Sequence, residues 1–254
     1  LGAISRSISS MGRKRMSSSI VANKTKIESQ TRITSHTASS QKGLSNIHKN
    51  EVNISIWERN LSNALQNAAA EILNNNPDFK LTIVPKVDEI RDILVDELGS
   101  EKNSLNLIDD ISKLASMFCD LFKIDRAWIR LDSIDTPMCP RFHADKVKCR
   151  LVTTYVGPAT EWLPHHLVDR SKLGHGNNGL PDHESGLFSD VNSIEQLETG
   201  HVALLKGEGW DGNQGAGLVH RSPHAKYRYK RLYMTIDYDD LFFSIYKKNK
   251  RFLS

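Results

Sequence analysis

The chain has 254 residues, of which 39% are hydrophobic and 25% are charged. This composition predicts a globular protein with a sizeable core and argues against a wholly disordered or fibrous chain. The net charge of +4 is unevenly distributed, because residues 1–50 contain nine Lys or Arg and a single acidic residue. The rest of the chain is therefore mildly acidic, with a net charge of −4, which argues against a body that binds nucleic acid.

Residues 1–50 are predicted to be a tail outside the folded body. They contain twelve Ser and no acidic residue before Glu28. A basic, Ser-rich, acid-poor composition is typical of a mitochondrial or plastid transit peptide, and a disordered extension is the alternative interpretation. We expect an intracellular protein. The sequence predicts no membrane span, because no segment approaches the roughly 18 consecutive apolar residues that a transmembrane helix needs.

Apolar residues recur at three- and four-residue intervals in residues 51–125, which predicts helices there. The first predicted helix contains Trp57 through Leu73 and stops at the "NNNPD" segment. A second covers Val87 to Leu98, and a third runs from about Leu105 to Phe122. We expect these helices to form an N-terminal layer that packs on the domain that follows.

The hydrophobic period changes from Ala127 onward. The segments "AWIRL", "CRLVTTYV", "HVALLKG", "GLVH" and "RLYMTID" are β-like and are separated by turns rich in Gly, Pro, Asn and Asp. The sequence therefore predicts an α+β protein, with an all-β domain at residues 126–240. A short basic and aromatic helix is expected at residues 241–254.

A candidate metal site lies in this β region, which contains eight of the ten histidines. His143 and Asp145, in "FHAD", are two residues apart, so on a strand they project from the same face and can bind one ion. His220 is the predicted third ligand, because it ends a short apolar run that an antiparallel neighbour could bring alongside. Two imidazoles and one carboxylate suit Fe(II) with open positions, or catalytic Zn(II) with a bound water. A metal-free polar network of the same residues is the alternative.

Two further patterns have simpler explanations than a ligand site. The segment "GEGWDG", residues 207–212, matches G-x-G-x-x-G but leads back into β-like sequence instead of opening a helix. We interpret it as a hairpin loop near the metal and not as a nucleotide site. His165, His166 and His224 are interpreted as ordinary loop histidines.

The strand after the H-x-D motif offers one further pocket residue. Arg150 and Tyr155 lie on opposite faces of this strand by parity, so one of them faces the pocket. We predict that Tyr155 does, as a hydrogen-bond donor to a co-substrate.

The order of the segments "FHAD", "RLVTTYVGPATEW", "GHVALLKGE", "GLVHRSP" and "KRLYMTID" is similar to the double-stranded β-helix, a cupin-like jelly roll, of 2-oxoglutarate- and Fe(II)-dependent oxygenases. The resemblance implies that His143, Asp145 and His220 are the metal ligands. It also implies that Arg231, eleven residues after His220, binds the far carboxylate of 2-oxoglutarate, with Arg228 as the alternative.

More closely, residues from about Ala127 to Asp237 resemble an uncharacterised family known as domain of unknown function 1826, in segments such as "PMCPRFH", "RLVTTY" and "GLVHRSP". We expect a metal-dependent dioxygenase that uses Fe(II) and 2-oxoglutarate to hydroxylate a small molecule or a protein. A non-catalytic Zn(II)-binding protein of zinc homeostasis with the same site is the alternative, and a scaffold that only engages a partner protein is a third. Neither the substrate nor the oligomeric state follows from the sequence.

Overall fold

The structure, a computed structural model, describes residues 33–136, 138–224 and 229–238. Within these ranges the chain forms eleven β-strands and three α-helices. The helices are α1 (Asn63–Asn75), α2 (Ile90–Leu98) and α3 (Lys102–Phe122). The strands are β1 (Thr34–Ala38), β2 (Val52–Trp57), β3 (Lys80–Ile83), β4 (Trp128–Ile134), β5 (His143–Ala144), β6 (Cys149–Val156), β7 (Glu161–Leu163), β8 (Glu195–Gln196), β9 (Val202–Lys206), β10 (Val219–Arg221) and β11 (Arg231–Tyr238).

The strands form a larger and a smaller sheet. The larger sheet has the order β1-β2-β9-β6-β11-β4-β3, and the smaller has the order β5-β10-β7-β8. Every pair of neighbours is antiparallel except β1 and β2. From β4 to β11 the chain passes repeatedly between the two sheets, and the resulting strand order is that of a jelly roll. The predicted α+β class is therefore confirmed, with most of the fold in sheets.

The larger sheet is buried on both faces, and this determines which side chains reach the site. On β6, Leu151 and Tyr155 belong to the core that the sheet forms with the three helices. Val152 points the other way, into a second core that includes Trp162 of the smaller sheet. Arg150 and Val152 of β6 therefore face the smaller sheet, because successive side chains of a strand alternate between its two faces.

The region predicted as a helical layer also contributes two strands to the larger sheet. β2 pairs with β9, and β3 pairs with β4. Trp57 lies in β2, and α1 begins only at Asn63, after the Ser62 side chain accepts a hydrogen bond from the Leu65 amide as an N-cap. The prediction of a helix from Trp57 was wrong, because Val52–Trp57 alternate as a strand that ends at Trp57. Within the described residues no helix is both long and apolar enough to cross a bilayer.

The predicted boundary at residue 50 is also wrong. β1 pairs with β2, and a 3-10 helix covers Gln41–His48, with Leu44 and Ile47 fully buried in the main core. The fold therefore begins no later than residue 33. The Ser-rich, basic composition of residues 33–50 concealed these few apolar contacts. The helix predicted at residues 241–254 lies outside the described residues.

Candidate metal centre and co-substrate pocket

The three predicted metal ligands meet between two strands of the smaller sheet. His143 on β5 and His220 on β10 are directly opposed in an antiparallel ladder, and their ring centroids are 4.6 Å apart. Asp145 follows β5 immediately, so its side chain lies on the same side as that of His143. One ligand atom from each of the three residues lies within 4.8 Å of the other two. Among the described residues, this is the single group of three or more His, Cys, Asp or Glu side chains so arranged.

Both imidazoles present the Nε2 atom to the centre. His143 Nδ1 lies 3.0 Å from the Arg141 carbonyl, and His220 Nδ1 lies 3.2 Å from the Leu218 carbonyl. A carbonyl oxygen only accepts hydrogen bonds, so each Nδ1 carries the proton and donates it. The Nε2 atoms are then free to bind a metal. They lie 3.7 Å (His143) and 3.5 Å (His220) from the Asp145 carboxylate.

The charge states of the buried ligands also suit a cation. Burial of His220 lowers the pKa of its imidazole to about 4, so at neutral pH the ring is neutral and can donate a lone pair. Burial alone would raise the pKa of Asp145, but the charges of His220, Arg150 and His143 outweigh it and lower that pKa. At neutral pH the centre therefore offers the neutral imidazole of His220 and the carboxylate of Asp145.

The backbone that follows Asp145 is held by the glycine-rich segment. The Glu208 amide donates to the Asp145 carbonyl at 2.8 Å, and the Gly207 amide donates to the Lys148 carbonyl at 2.9 Å. A Cβ atom on Gly207 would lie 2.0 Å from the Val147 carbonyl oxygen, so no larger residue fits there without movement. The interpretation of "GEGWDG" as a loop is confirmed, and this loop packs against the segment that carries Asp145.

Arg150, on β6, connects the Asp145 carboxylate to the larger sheet. Its NH1 group donates to Asp145 Oδ2 at 2.8 Å. Its Nε and NH2 groups donate to the buried Asp237 carboxylate at 2.5 and 3.0 Å. Arg130, from β4, donates to the same Asp237 at 2.8 Å. Asp145 is thus the end of a chain of alternating charges that crosses three strands.

A cavity of about 120 Å³ lies beside the candidate centre, with His143 and His220 in its lining. Its lining comes from both sheets and from the loops next to β5 and β10. The lining residues are Arg130, Asp132, Met138, Cys139, His143, Arg150, Thr160, His220, Arg221, Ser222, Arg231, Tyr233 and Thr235. The metal centre and Arg231 therefore share one small pocket.

Arg231 differs from the other arginines of this pocket in having no acidic partner among the described residues. It is 2% exposed, and its NH2 group donates to the Thr154 hydroxyl at 3.2 Å. Its guanidinium carbon lies 4.6 Å from the centroid of the Tyr233 ring. Its Nε is buried and has no hydrogen-bond partner in the part of the chain that the structure describes. Burial lowers the pKa of this guanidinium, but an arginine remains charged at neutral pH. Among the described residues, the pocket thus contains a buried cation with no acidic partner.

The close approach of Arg231 depends on the turn after β6. Gly157 has a φ of 84°, and a Cβ atom there would lie 2.5 Å from the Lys230 carbonyl oxygen and 3.0 Å from Arg231 Cγ. The conformation and the contact both favour glycine. The "GP" turn at the end of "TTYVGP" therefore lets the start of β11 lie directly against it.

The prediction for Tyr155 was wrong. Its side chain faces the helices, is 1% exposed, and donates a hydrogen bond to Asp110 Oδ2 at 2.8 Å. Arg150 is the member of the pair that faces the pocket, as the parity argument allowed. Arg228 lies outside the described residues. Sequence reasoning also missed Tyr233, which lines the pocket two residues after Arg231 on the same face of β11.

The fold and site together define a jelly-roll protein with a candidate centre of two histidines and one carboxylate. The sequence profile of the family described as "Protein of unknown function (DUF1826)" matches residues 38–237, and the chain belongs to that family. A search of curated proteins finds no match.

Solved structures with a similar backbone fold include several oxygenases. AtDAO1, a dioxygenase for auxin oxidation from Arabidopsis thaliana solved with 2-oxoglutarate, is 9% identical, with a TM-score of 0.45 over 81% of this chain and 91% of that one. HygX from Streptomyces hygroscopicus, solved with nickel and 2-oxoglutarate, is 10% identical, with a TM-score of 0.42 over 78% and 86%. A viral collagen prolyl hydroxylase from Paramecium Bursaria Chlorella virus-1 is 11% identical, with a TM-score of 0.39 over 74% and 91%.

Proposed function

We propose that this protein is an Fe(II)- and 2-oxoglutarate-dependent dioxygenase that hydroxylates a small-molecule or protein substrate. The observation that carries the proposal is Arg231, a buried arginine without an acidic partner among the described residues, in the same small pocket as His143 and His220. A zinc carrier or a protein scaffold needs no such cation.

In the ligand-free protein, the burial of Arg231 without an acidic partner among the described residues costs free energy. A buried charge is costly unless it is paired, so an unneutralised guanidinium is expected where a ligand supplies the opposite charge. The planar guanidinium matches a carboxylate in a bidentate hydrogen-bonded pair. A dicarboxylate that reaches from the metal centre to Arg231 would satisfy both ends of the pocket. 2-Oxoglutarate is such a molecule, since its 2-oxo acid end can chelate a metal.

The donor set fits Fe(II) as well. Two imidazole nitrogens and one carboxylate oxygen are the ligands of the oxygenase facial triad, which leaves open positions for a chelating co-substrate and O₂. The alternation of β4 to β11 between two sheets supports the more specific assignment of the jelly roll as the double-stranded β-helix of these enzymes. When bound, Fe(II) with 2-oxoglutarate supplies an oxidative decarboxylation that drives C–H hydroxylation.

In this proposal the residues of the chain hold and orient the reactants. His143, Asp145 and His220 hold the metal. The Nδ1 contacts of the two histidines fix the orientation of their rings, and the hydrogen bond from Arg150 fixes that of Asp145. Arg231 binds the far carboxylate of 2-oxoglutarate, with the Thr154 hydroxyl beside it. Exposed residues that line the edge of the pocket, such as Met138 and Cys139, contact the substrate.

Anaerobic titration of the Fe(II) protein with 2-oxoglutarate tests the proposal. We expect the weak visible charge-transfer band of a chelated 2-oxo acid, and Arg231→Gln should weaken binding by about 1.5–3 kcal/mol with metal affinity nearly unchanged. Arg130→Gln is the matched control, because Arg130 lines the same pocket but is already paired with Asp237. It should weaken binding much less.

The ligand-free stability of Arg231→Gln distinguishes a ligand-binding residue from a structural one. Removal of a buried cation that lacks an acidic partner should leave the melting temperature unchanged or raise it. The proposed enzymatic function would be contradicted if the protein bound no 2-oxoglutarate at millimolar concentration and retained Zn(II) tightly. That result would favour the zinc-binding alternative, because the same three ligands suit that ion.

A further inference from the structure

Arg150 makes contacts that the three-ligand description of the metal centre does not use. Its guanidinium spans two carboxylates on different parts of the fold, with NH1 on Asp145 Oδ2 and with Nε and NH2 on Asp237. Asp237 is 2% exposed and also accepts from Arg130, so this anchor is fixed by two strands. The plane of the Arg150 guanidinium is therefore set by the larger sheet, whereas the carboxylate that it contacts belongs to the loop after β5.

The two oxygens of Asp145 are consequently inequivalent. Oδ2 accepts the Arg150 hydrogen bond at 2.8 Å. Each oxygen also lies near one imidazole, Oδ1 at 3.7 Å from His143 Nε2 and Oδ2 at 3.5 Å from His220 Nε2, but Oδ1 receives no hydrogen bond from Arg150. A charge-assisted hydrogen bond competes with a metal for the lone pairs of the oxygen that accepts it. Oδ1 is thus the oxygen that remains available.

We propose that Arg150 is a positioning residue that holds Asp145 by Oδ2, so that Asp145 binds the metal through Oδ1 alone. A carboxylate that binds through one oxygen occupies one coordination position, and one that chelates occupies two. The bridge therefore preserves the open positions that a co-substrate and O₂ require. This inference rests on the proposed metal site but not on the proposed reaction.

Arginine suits this role better than lysine. Its rigid fork reaches Asp145 and Asp237 simultaneously from one planar group, whereas an ammonium is a single point of contact on a flexible stem. Arg150→Lys keeps the positive charge near the metal and removes the two-sided bridge. This variant therefore tests the geometry alone. Loss of the cation would by itself strengthen metal binding and would oppose the effect of losing the bridge.

The test uses Co(II) as a spectroscopic probe of the full-length protein, without substrate. Wild type should bind one Co(II). Arg150→Lys should weaken Co(II) binding about 10–100-fold, the usual effect of losing a partner of a metal ligand. Its visible d–d bands should also change in position and intensity, because the coordination number changes. Arg130→Lys is the matched control, since Arg130 shares Asp237 but does not contact Asp145, and it should keep both affinity and spectrum.

Each outcome bears on a separate claim. Wild type that binds no Co(II) would refute the metal site itself. If wild type and Arg150→Lys bind Co(II) with equal affinity and identical spectra, only the positioning role is overturned. If circular dichroism shows that Arg150→Lys is unfolded, Arg150→Gln, which keeps a hydrogen-bond donor, is assessed by its d–d bands alone, because loss of the cation by itself strengthens metal binding. Changed bands support the positioning role, and bands identical to those of wild type overturn it.

Discussion

His143 and His220 are far apart in the sequence yet lie directly opposite each other on β5 and β10, with their rings 4.6 Å apart. The pairing places both Nε2 atoms next to Asp145, the residue that follows β5. The backbone pairing of β5 with β10 therefore fixes the positions of the two rings relative to each other.

A preformed centre predicts that ligand loss removes the metal and spares the fold. His143→Ala and His220→Ala should each abolish most metal binding, measured by elemental analysis of protein purified without a His-tag. Far-ultraviolet circular dichroism should remain that of wild type. His166→Ala serves as the control, because His166 is not one of the three ligands. Stoichiometric metal in the double variant of His143 and His220 would refute the assignment.

Tyr155 should contribute to stability and not to co-substrate binding. Its hydroxyl donates to Asp110, which also pairs with Arg59, on the helix side of the larger sheet. Tyr155→Phe should lower the free energy of unfolding by about 1.5–3 kcal/mol, the range for a hydrogen bond to a charged group. Urea denaturation measures this change. Affinity for 2-oxoglutarate should stay at the wild-type value, and a marked loss would mean that Tyr155 reaches the pocket.

The segment before β2 should be part of the cooperative fold. Leu44 is 1% exposed in the main core, so Leu44→Ala should destabilise the protein by about 2–5 kcal/mol. Limited proteolysis provides a second measurement. Cleavage before residue 33 should leave the melting transition unchanged, and removal of residues 33–50 should lower it. A chain that begins at residue 51 and melts like wild type would contradict this expectation.

Lys206 gives a pH dependence that is separate from the metal site. Its Nζ donates to the Lys49 carbonyl at 2.8 Å, and burial lowers its pKa from 10.5 to about 8. Between these values the unfolded chain binds a proton that the folded protein has released, so this group favours folding more as pH rises from 8 to 10.5. The free energy of unfolding of wild type, minus that of Lys206→Met, should increase across this range. A constant difference would contradict the pKa shift.

Part of this architecture was predictable because it depends on local patterns. The alternation from Ala127 onward indicated strands, and the two-residue spacing of His143 and Asp145 placed both on one face. β2 was not predicted, although Val52, Ile54 and Ile56 alternate with more polar residues. A strand of six residues is difficult to distinguish from the start of a helical pattern that directly follows it.

The choice between Arg150 and Tyr155 could not be made from the sequence. β6 is buried on both faces, so polarity does not reveal which face meets the smaller sheet. One available signal was charge. Asp145 is an anion that must be desolvated, and Arg150 is a cation five residues later. The unneutralised state of Arg231, in contrast, becomes visible only when the neighbours of its side chain are known.

We propose that Arg231 and the candidate centre together bind 2-oxoglutarate for a reaction with O₂. The most direct measurement is the conversion of 2-oxoglutarate to succinate by the Fe(II) protein under ¹⁸O₂. We predict that wild type slowly forms succinate with one ¹⁸O atom in a carboxylate group, even without substrate. His220→Ala should form no succinate. Absence of succinate from wild-type protein that retains stoichiometric Fe(II) would contradict the account.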